Sequence, residues 1–319
     1  MKILAPLDNL DEINDLIKAG ADGFYCGINY QDDYHNVWDW PESNLKSIED
    51  LKKATDILYN HNKKLYLALN TNKIKDNKEL DDIIHIIKKA KEFGVDSVII
   101  SNILVFLKTQ HIKINKILSC MGGGFNSAAI DFYKRFGING VVIPRHILPN
   151  DINQIKKNHP DLEIEFFTFH GFCPSNELYC KMDDIFKLDQ NECTITPCKI
   201  NANVQINKSK TTLSKNEKND LTNHINSKIF MKGKCYLCYL YDLNKIGVDK
   251  LKIVGRGFPK EQKITPIKVL KLLNIYSQKD KQSFFDVINE LINNNLAHCE
   301  KELCPYYEER KKHTKGNIL

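Results

Sequence analysis

The chain has no run of about 18 uncharged apolar residues, so no membrane-spanning helix is expected. Its first residues, MKILAPLDNLDEINDL, turn acidic at once and lack the continuous apolar stretch of a secretory signal. The expected compartment is the cytoplasm. Strong charge bias is missing too. With 46 Lys+Arg against 40 Asp+Glu the net charge is +6, compatible with an RNA substrate but no argument for one. The 42% hydrophobic content excludes general disorder. No G-x-G-x-x-G follows the first apolar run and no G-x-x-x-x-G-K-[ST] occurs, which disfavours nucleotide binding by those loops. Neither G-x-S-x-G nor H-E-x-x-H is present, so no familiar serine or metal protease motif supports proteolysis.

What the chain does have is ten cysteines. A protein of this length buries roughly three quarters of its unfolded surface and has no need of disulfides. In a reducing compartment, clustered cysteines point to metal or redox chemistry. Eight of them fall into pairs after residue 170: Cys173/Cys180, Cys193/Cys198, Cys235/Cys238 and Cys299/Cys304. Only Cys235-Tyr236-Leu237-Cys238 has the C-x-x-C knuckle of structural zinc sites. The wider, uneven gaps favour an iron–sulfur cluster held by several loops, with zinc as the alternative. Cys26 and Cys120 are expected inside strands as small buried hydrophobes. Cys120, at a strand's C-terminal end, keeps a functional interest.

Up to residue 170, short apolar runs alternate with amphipathic stretches. Strands are expected at 2–6, 23–27, 64–70, 96–101, 114–120, 140–144 and 162–169, and an eighth at 248–254. Helices are expected over 11–19, 47–62, 80–93, 127–136, 151–157, 266–276 and 283–294. The runs are apolar on both faces, as a parallel sheet covered by helices requires. The expected fold is a (β/α)₈ TIM-like barrel with a Cys-rich insertion, residues 171–240, between strands seven and eight. An open doubly wound sheet is the alternative. The barrel domain is expected over 1–260, and C-terminal helices with a Cys-containing tail over 261–319.

Six segments recur in a recognisable order. They are Ile3-Leu4-Ala5-Pro6, Gly20-Ala21-Asp22-Gly23-Phe24-Tyr25, Lys64-Leu65-Tyr66-Leu67-Ala68-Leu69-Asn70-Thr71, Gly94-Val95-Asp96-Ser97-Val98-Ile99, Val142-Ile143-Pro144-Arg145, and Gly247 through Arg256 (GVDKLKIVGR). Together they resemble peptidase family U32, which includes collagenase-like proteases and iron–sulfur hydroxylation proteins. Glu165, Phe167, Cys173 and Cys180 keep the spacing of the family signature. His170, Leu178 and Asp183 replace its usual Gly, Gly and Ser, so the chain is a divergent member.

The resemblance implies a [4Fe-4S] cluster on Cys173, Cys180, Cys193 and Cys235, with Cys198 as the rival to Cys193. Cys238, Cys299 and Cys304 are extra to that set, and with Cys198 they could complete a second four-thiolate site. It implies oxygen-independent hydroxylation of an RNA base or a small aromatic molecule. A U32-type peptidase or a non-catalytic iron–sulfur accessory protein are the alternatives. A second U32-type subunit is a candidate partner. Candidate catalytic or substrate-binding residues at the strand ends are Asn70, Ser101, Arg145, His170 and Arg256. The two arginines could grip a carboxylate or phosphate bidentately, and His170 could donate a proton.

Overall fold

The structure is a computed structural model that describes residues 1–30, 43–169, 178, 236–297 and 307–312. The expected apolar runs form parallel strands: β1 (Lys2–Pro6), β2 (Gly23–Ile28), β4 (Lys64–Leu69), β5 (Ser97–Ile100), β6 (Asn115–Leu118), β7 (Gly140–Ile143), β8 (Glu163–Phe169) and β9 (Lys250–Ile253). A two-residue strand, β3 (Asn44–Leu45), adds to the end of β2. The other eight close into a ring in the order β1-β2-β4-β5-β6-β7-β8-β9, and β1 returns to pair with both β2 and β9. Closure passes through Leu4, which is in register with Gly23 on one side and Lys252 on the other. The chain is therefore a (β/α)₈ barrel, and the open-sheet alternative falls away.

The helices alternate with the strands outside the ring. They are α1 (Ile13–Ala19), α2 (Ile48–Asn60), α3 (Asn77–Phe93), α4 (Ile103–Thr109), α5 (Ser127–Lys134), α6 (Pro149–Asn158), α7 (Leu240–Ile246) and α8 (Lys260–Tyr276). Then come α9 (Lys281–Asn293) and α10 (Tyr307–Lys312). Local chemistry sets their ends. The Asp76 side chain caps α3 by accepting from Glu79 N, and Gly94, at φ +84°, lets the chain turn out of that helix.

Two apolar layers result. Ile3, Ala5, Phe24, Leu67, Val98, Val141 and Phe166 point outward to the helices. Leu4, Tyr25, Tyr66, Ile99, Ile117, Val142 and Phe167 fill the barrel itself.

Two expectations are corrected. Cys120 is not in a strand: β6 stops at Leu118, and Cys120–Gly122 is a 3₁₀ turn capped by the Ser119 hydroxyl. Helix α8 starts at Lys260, not Pro266. Proline is favoured in a first helical turn, which made Pro266 read as the start, yet it sits inside the helix and only removes one backbone donor. Neither β3 nor α7 was expected. The first is too short to show periodicity, and the second is masked by the cysteine-rich composition before it.

Candidate active site at the barrel mouth

In a closed parallel barrel every strand delivers its C-terminal residue to the same rim. Asp8, Asn70, Ser101, Cys120, Arg145 and Arg256 all come within the three residues that follow a strand, so the structure brings these rim positions to one end. His170, next after β8, lies outside the described residues, as do Cys173, Cys180, Cys193, Cys198, Cys235, Cys299 and Cys304.

The rim is cross-linked by hydrogen bonds. Ser101 Oγ donates to the Thr71 carbonyl at 2.9 Å, and Asn102 Nδ2 donates to the Asn72 carbonyl at 3.0 Å. On the opposite side, Arg256 Nη1 donates to Asn44 Oδ1 at 3.0 Å, while Asn44 Nδ2 donates to Asn29 Oδ1 at 3.0 Å. Gly27 makes this possible. A Cβ there would lie 1.9 Å from Asn44 Oδ1 and 2.4 Å from Arg256 Nη1. The Arg256 loop is further anchored by Asp8, whose Oδ2 accepts from Gly257 N at 2.7 Å. Beneath it Lys263 Nζ reaches Asp8 at 2.5 Å and Glu12 at 2.8 Å, all three side chains being buried.

The floor is aromatic and cationic. The Arg145 guanidinium carbon sits 4.1 Å over the Phe167 ring. Lys252 Nζ lies 4.3 Å from the Tyr25 ring centre and 5.8 Å from that of Phe167. The Tyr25 hydroxyl donates to the Ile253 carbonyl at 2.8 Å. Burial pushes this phenol well above its ordinary range, while Arg256 and Arg145 both pull it down. The two arginines follow β7 and β9, the strands on either side of β8. Across the rim, the Phe125 and His146 rings meet at 5.3 Å, tilted by 50°. Leu178, from the segment that follows β8, comes within van der Waals reach of a Cβ placed on Gly123.

Below the floor lie four charged side chains. Lys252 Nζ donates to Glu165 Oε2 at 3.1 Å, Lys250 stands 3.5 Å from Glu165 Oε1, and Lys250 also donates to Glu163 Oε1. Lys250 lies 3.9 Å over the Tyr66 ring. Burial pulls the Lys252 ammonium below its ordinary range, against Glu165, which raises it, and Cys120 also acts upon it. These groups were not anticipated as a set. The signal was present in EIE at 163–165 and KLK at 250–252, where charge alternates with apolar residues in strands buried on both faces.

The described cysteines differ in role. Cys26 faces the helix layer, where burial pushes its thiol up to about 12. Cys120 faces the barrel interior beside Met121 and Phe167. Cys238 is buried in the helix-side core, in the turn that also carries Tyr236 and Tyr239, whose rings pack on Phe166. Tyr236 meets Phe166 edge-on at 5.7 Å, so the chain re-enters the fold on the back of the strand it left at Phe169. Among the described residues no group of three or more His, Cys, Asp or Glu side chains is arranged to hold a metal ion, and no helix is long and apolar enough to cross a membrane.

Comparison with known proteins agrees with the architecture. Residues 8–317 match the model of Peptidase family U32. An uncharacterized protease of Methanocaldococcus jannaschii is 29% identical over 177 residues, which are 54% of this chain and 41% of that protein. A protein of Escherichia coli named tRNA hydroxylation protein P is 28% identical over 209 residues, 64% of this chain and 44% of its own length. A collagenase of Porphyromonas gingivalis is 26% identical over 183 residues, 54% and 42% of the two chains. The matches span less than half the length of these relatives. A solved U32 peptidase structure shares the fold, with a TM-score of 0.51 at 8% identity, covering 81% of this chain and 94% of that one.

Proposed function

The chain belongs to peptidase family U32, and on that footing we propose that it is an iron–sulfur protein whose barrel mouth hydroxylates an RNA base or a small aromatic ring without dioxygen. The relatives named for tRNA hydroxylation support this reading. The observation that carries it is the make-up of the mouth: two arginines, Arg145 and Arg256, follow strands that end there, and the Arg145 guanidinium lies over the Phe167 ring. A planar ring fits against such aromatic and guanidinium faces, and a phosphate or carboxylate fits a pair of arginines.

The donor set suits a cluster. Soft thiolates at Cys173, Cys180, Cys193 or Cys198, and Cys235 would hold a [4Fe-4S] group, and the described chain on either side of them is joined through Phe166 and Tyr236. Such a cluster supplies single-electron chemistry. The chain's own residues bind and orient. Arg256 is fixed by Asn44 and the Gly257–Asp8 bond, Arg145 by its stacking on Phe167, and the closed floor keeps bulk water from below.

The test is anaerobic purification with iron, sulfide and zinc analysis, together with mass spectrometry of nucleosides from co-purified RNA. Iron and sulfide in near-equal amounts are expected, falling in Cys173→Ser. Zinc without iron, or wild-type iron in Cys173→Ser, overturns the cluster assignment. Cleavage of a protein substrate by metal-free protein would instead support a peptidase, the activity that the name of the Porphyromonas gingivalis relative implies.

A further inference from the structure

We propose that Glu163, Lys250, Glu165 and Lys252 form a proton path through the barrel, from its N-terminal base to the mouth, with Lys252 as the terminal group that exchanges protons with a bound substrate. The inference deepens the functional reading above, because it takes the mouth as the reactive end. Its basis is geometric. The two acids lie on β8 and the two lysines on β9, with Glu165 in register with Lys250, and their contacts run acid to base to acid to base. Glu163 opens the strand at the base, where a third of its side chain is exposed. Lys250 and Lys252 are 5% exposed and Glu165 is fully buried.

Every link is close to hydrogen-bond length. Lys250 touches Glu163, lies 3.5 Å from Glu165 Oε1, and Glu165 Oε2 lies 3.1 Å from Lys252. Glu165 Oε1 is buried and has no hydrogen-bond partner among the described residues. A shift of about 0.5 Å toward Lys250 would give it one. Leu4, Ile99, Ile117 and Val142 bring apolar side chains into the interior from four of the other strands. A barrel core needs only such residues, and buried ion pairs rarely stabilise more than an apolar replacement would. Four ionisable groups in one column therefore call for a role beyond packing.

The groups facing this column are few. Tyr25, Phe167 and Cys120 surround Lys252, with Arg145 above Phe167. Tyr66 covers Lys250 and feels Glu163, Glu165 and Asp96. The cycle starts from both lysines as ammonium and both acids as carboxylate. Lys250 passes a proton to Glu163, which releases it to solvent at the base. Lys252 passes a proton to Glu165, which hands it to the now neutral Lys250. Lys252 is left as a free amine, and one proton taken from the mouth restores the starting state. One proton enters for each that leaves, and the reverse sequence delivers one. The depressed basicity of Lys252 eases its loss of a proton.

Hydrogen exchange tests the path without substrate or cluster. The full chain, labelled with lysine carrying nitrogen-15 at Nζ, is followed by NMR, and the Lys252 resonance is the one absent from Lys252→Met. Glu163→Gln should slow exchange of the Lys252 ammonium protons with water about tenfold, an added barrier of about 1.4 kcal/mol, although Glu163 does not touch Lys252. Glu165→Gln should slow it as well. Wild-type exchange in Glu163→Gln means that protons reach Lys252 from the mouth and overturns the path. Glu163 is partly exposed at the base, so this arm decides the matter even if Glu165→Gln fails to fold. An iron-free preparation would sink the cluster reading and leave this measurement valid, so the two ideas fail separately.

Discussion

At the scale of single residues, the mouth depends on close approaches that sequence patterns do not display. Gly27 reads as the end of a strand, but its hydrogen is what lets Asn44 and Arg256 meet. Gly27→Ala should displace Arg256 while leaving the fold intact, at a cost of about 1–3 kcal/mol from overpacking. Weaker binding of tRNA with nearly unchanged circular dichroism is the expected result, and unaltered binding would remove Arg256 from the substrate contacts. Lys263 is a second case. Its ammonium pairs with both Asp8 and Glu12 in a buried site, and burial holds the Asp8 carboxyl above its usual range even with that neighbour. Lys263→Met should cost about 3–5 kcal/mol in urea unfolding, because two buried acids lose the cation that pairs with both. A loss below about 1 kcal/mol would mean that water reaches the pair. Neither Asp8 nor Lys263 was legible beforehand, since their partners lie about 250 positions apart.

At the scale of elements, apolar runs such as 64–69 and 97–100 were easily read, because a parallel strand is buried on both faces. Boundaries were less legible where caps decide them. Helix α9 shows why: Asp280 accepts from Ser283 N at 2.9 Å and from Ser283 Oγ at 2.6 Å, which starts the helix before its first large apolar residue. Those donors hold the Asp280 carboxyl below its ordinary 3.8, the Ser283 hydroxyl foremost. The sign follows directly. The folded state prefers the ionised cap, so its stabilisation is complete above the unfolded value and disappears as pH falls through the lower folded one. Asp280→Asn should flatten the acid limb of the stability curve below pH 4 or so and leave the neutral region little changed, since asparagine also caps. An unchanged acid limb in thermal melts would show that the cap is broken in solution.

At the scale of the molecule, the rim positions of Asn70, Arg145 and Arg256 could be inferred once eight strands were counted, because closure alone sends all strand ends to one side. The interior charges needed the inward-facing register of β8 and β9, which only the assembled barrel supplies. A chain ending at residue 235 would leave both β1 and β8 without β9. It should melt without a cooperative transition, and a sharp one would show that seven strands suffice. The seam at Leu4 also imposes an order of events during translation. The first strand waits for nearly the whole chain before its second neighbour exists. Cys173, Cys180, Cys193 and Cys198 are all made before Ile253. At roughly 5–20 residues per second, they leave the ribosome seconds ahead of the strand that completes the ring. A nascent chain therefore holds these four thiols while its barrel is still open, and on the proposed cluster reading the order expected is loading during synthesis, ahead of closure.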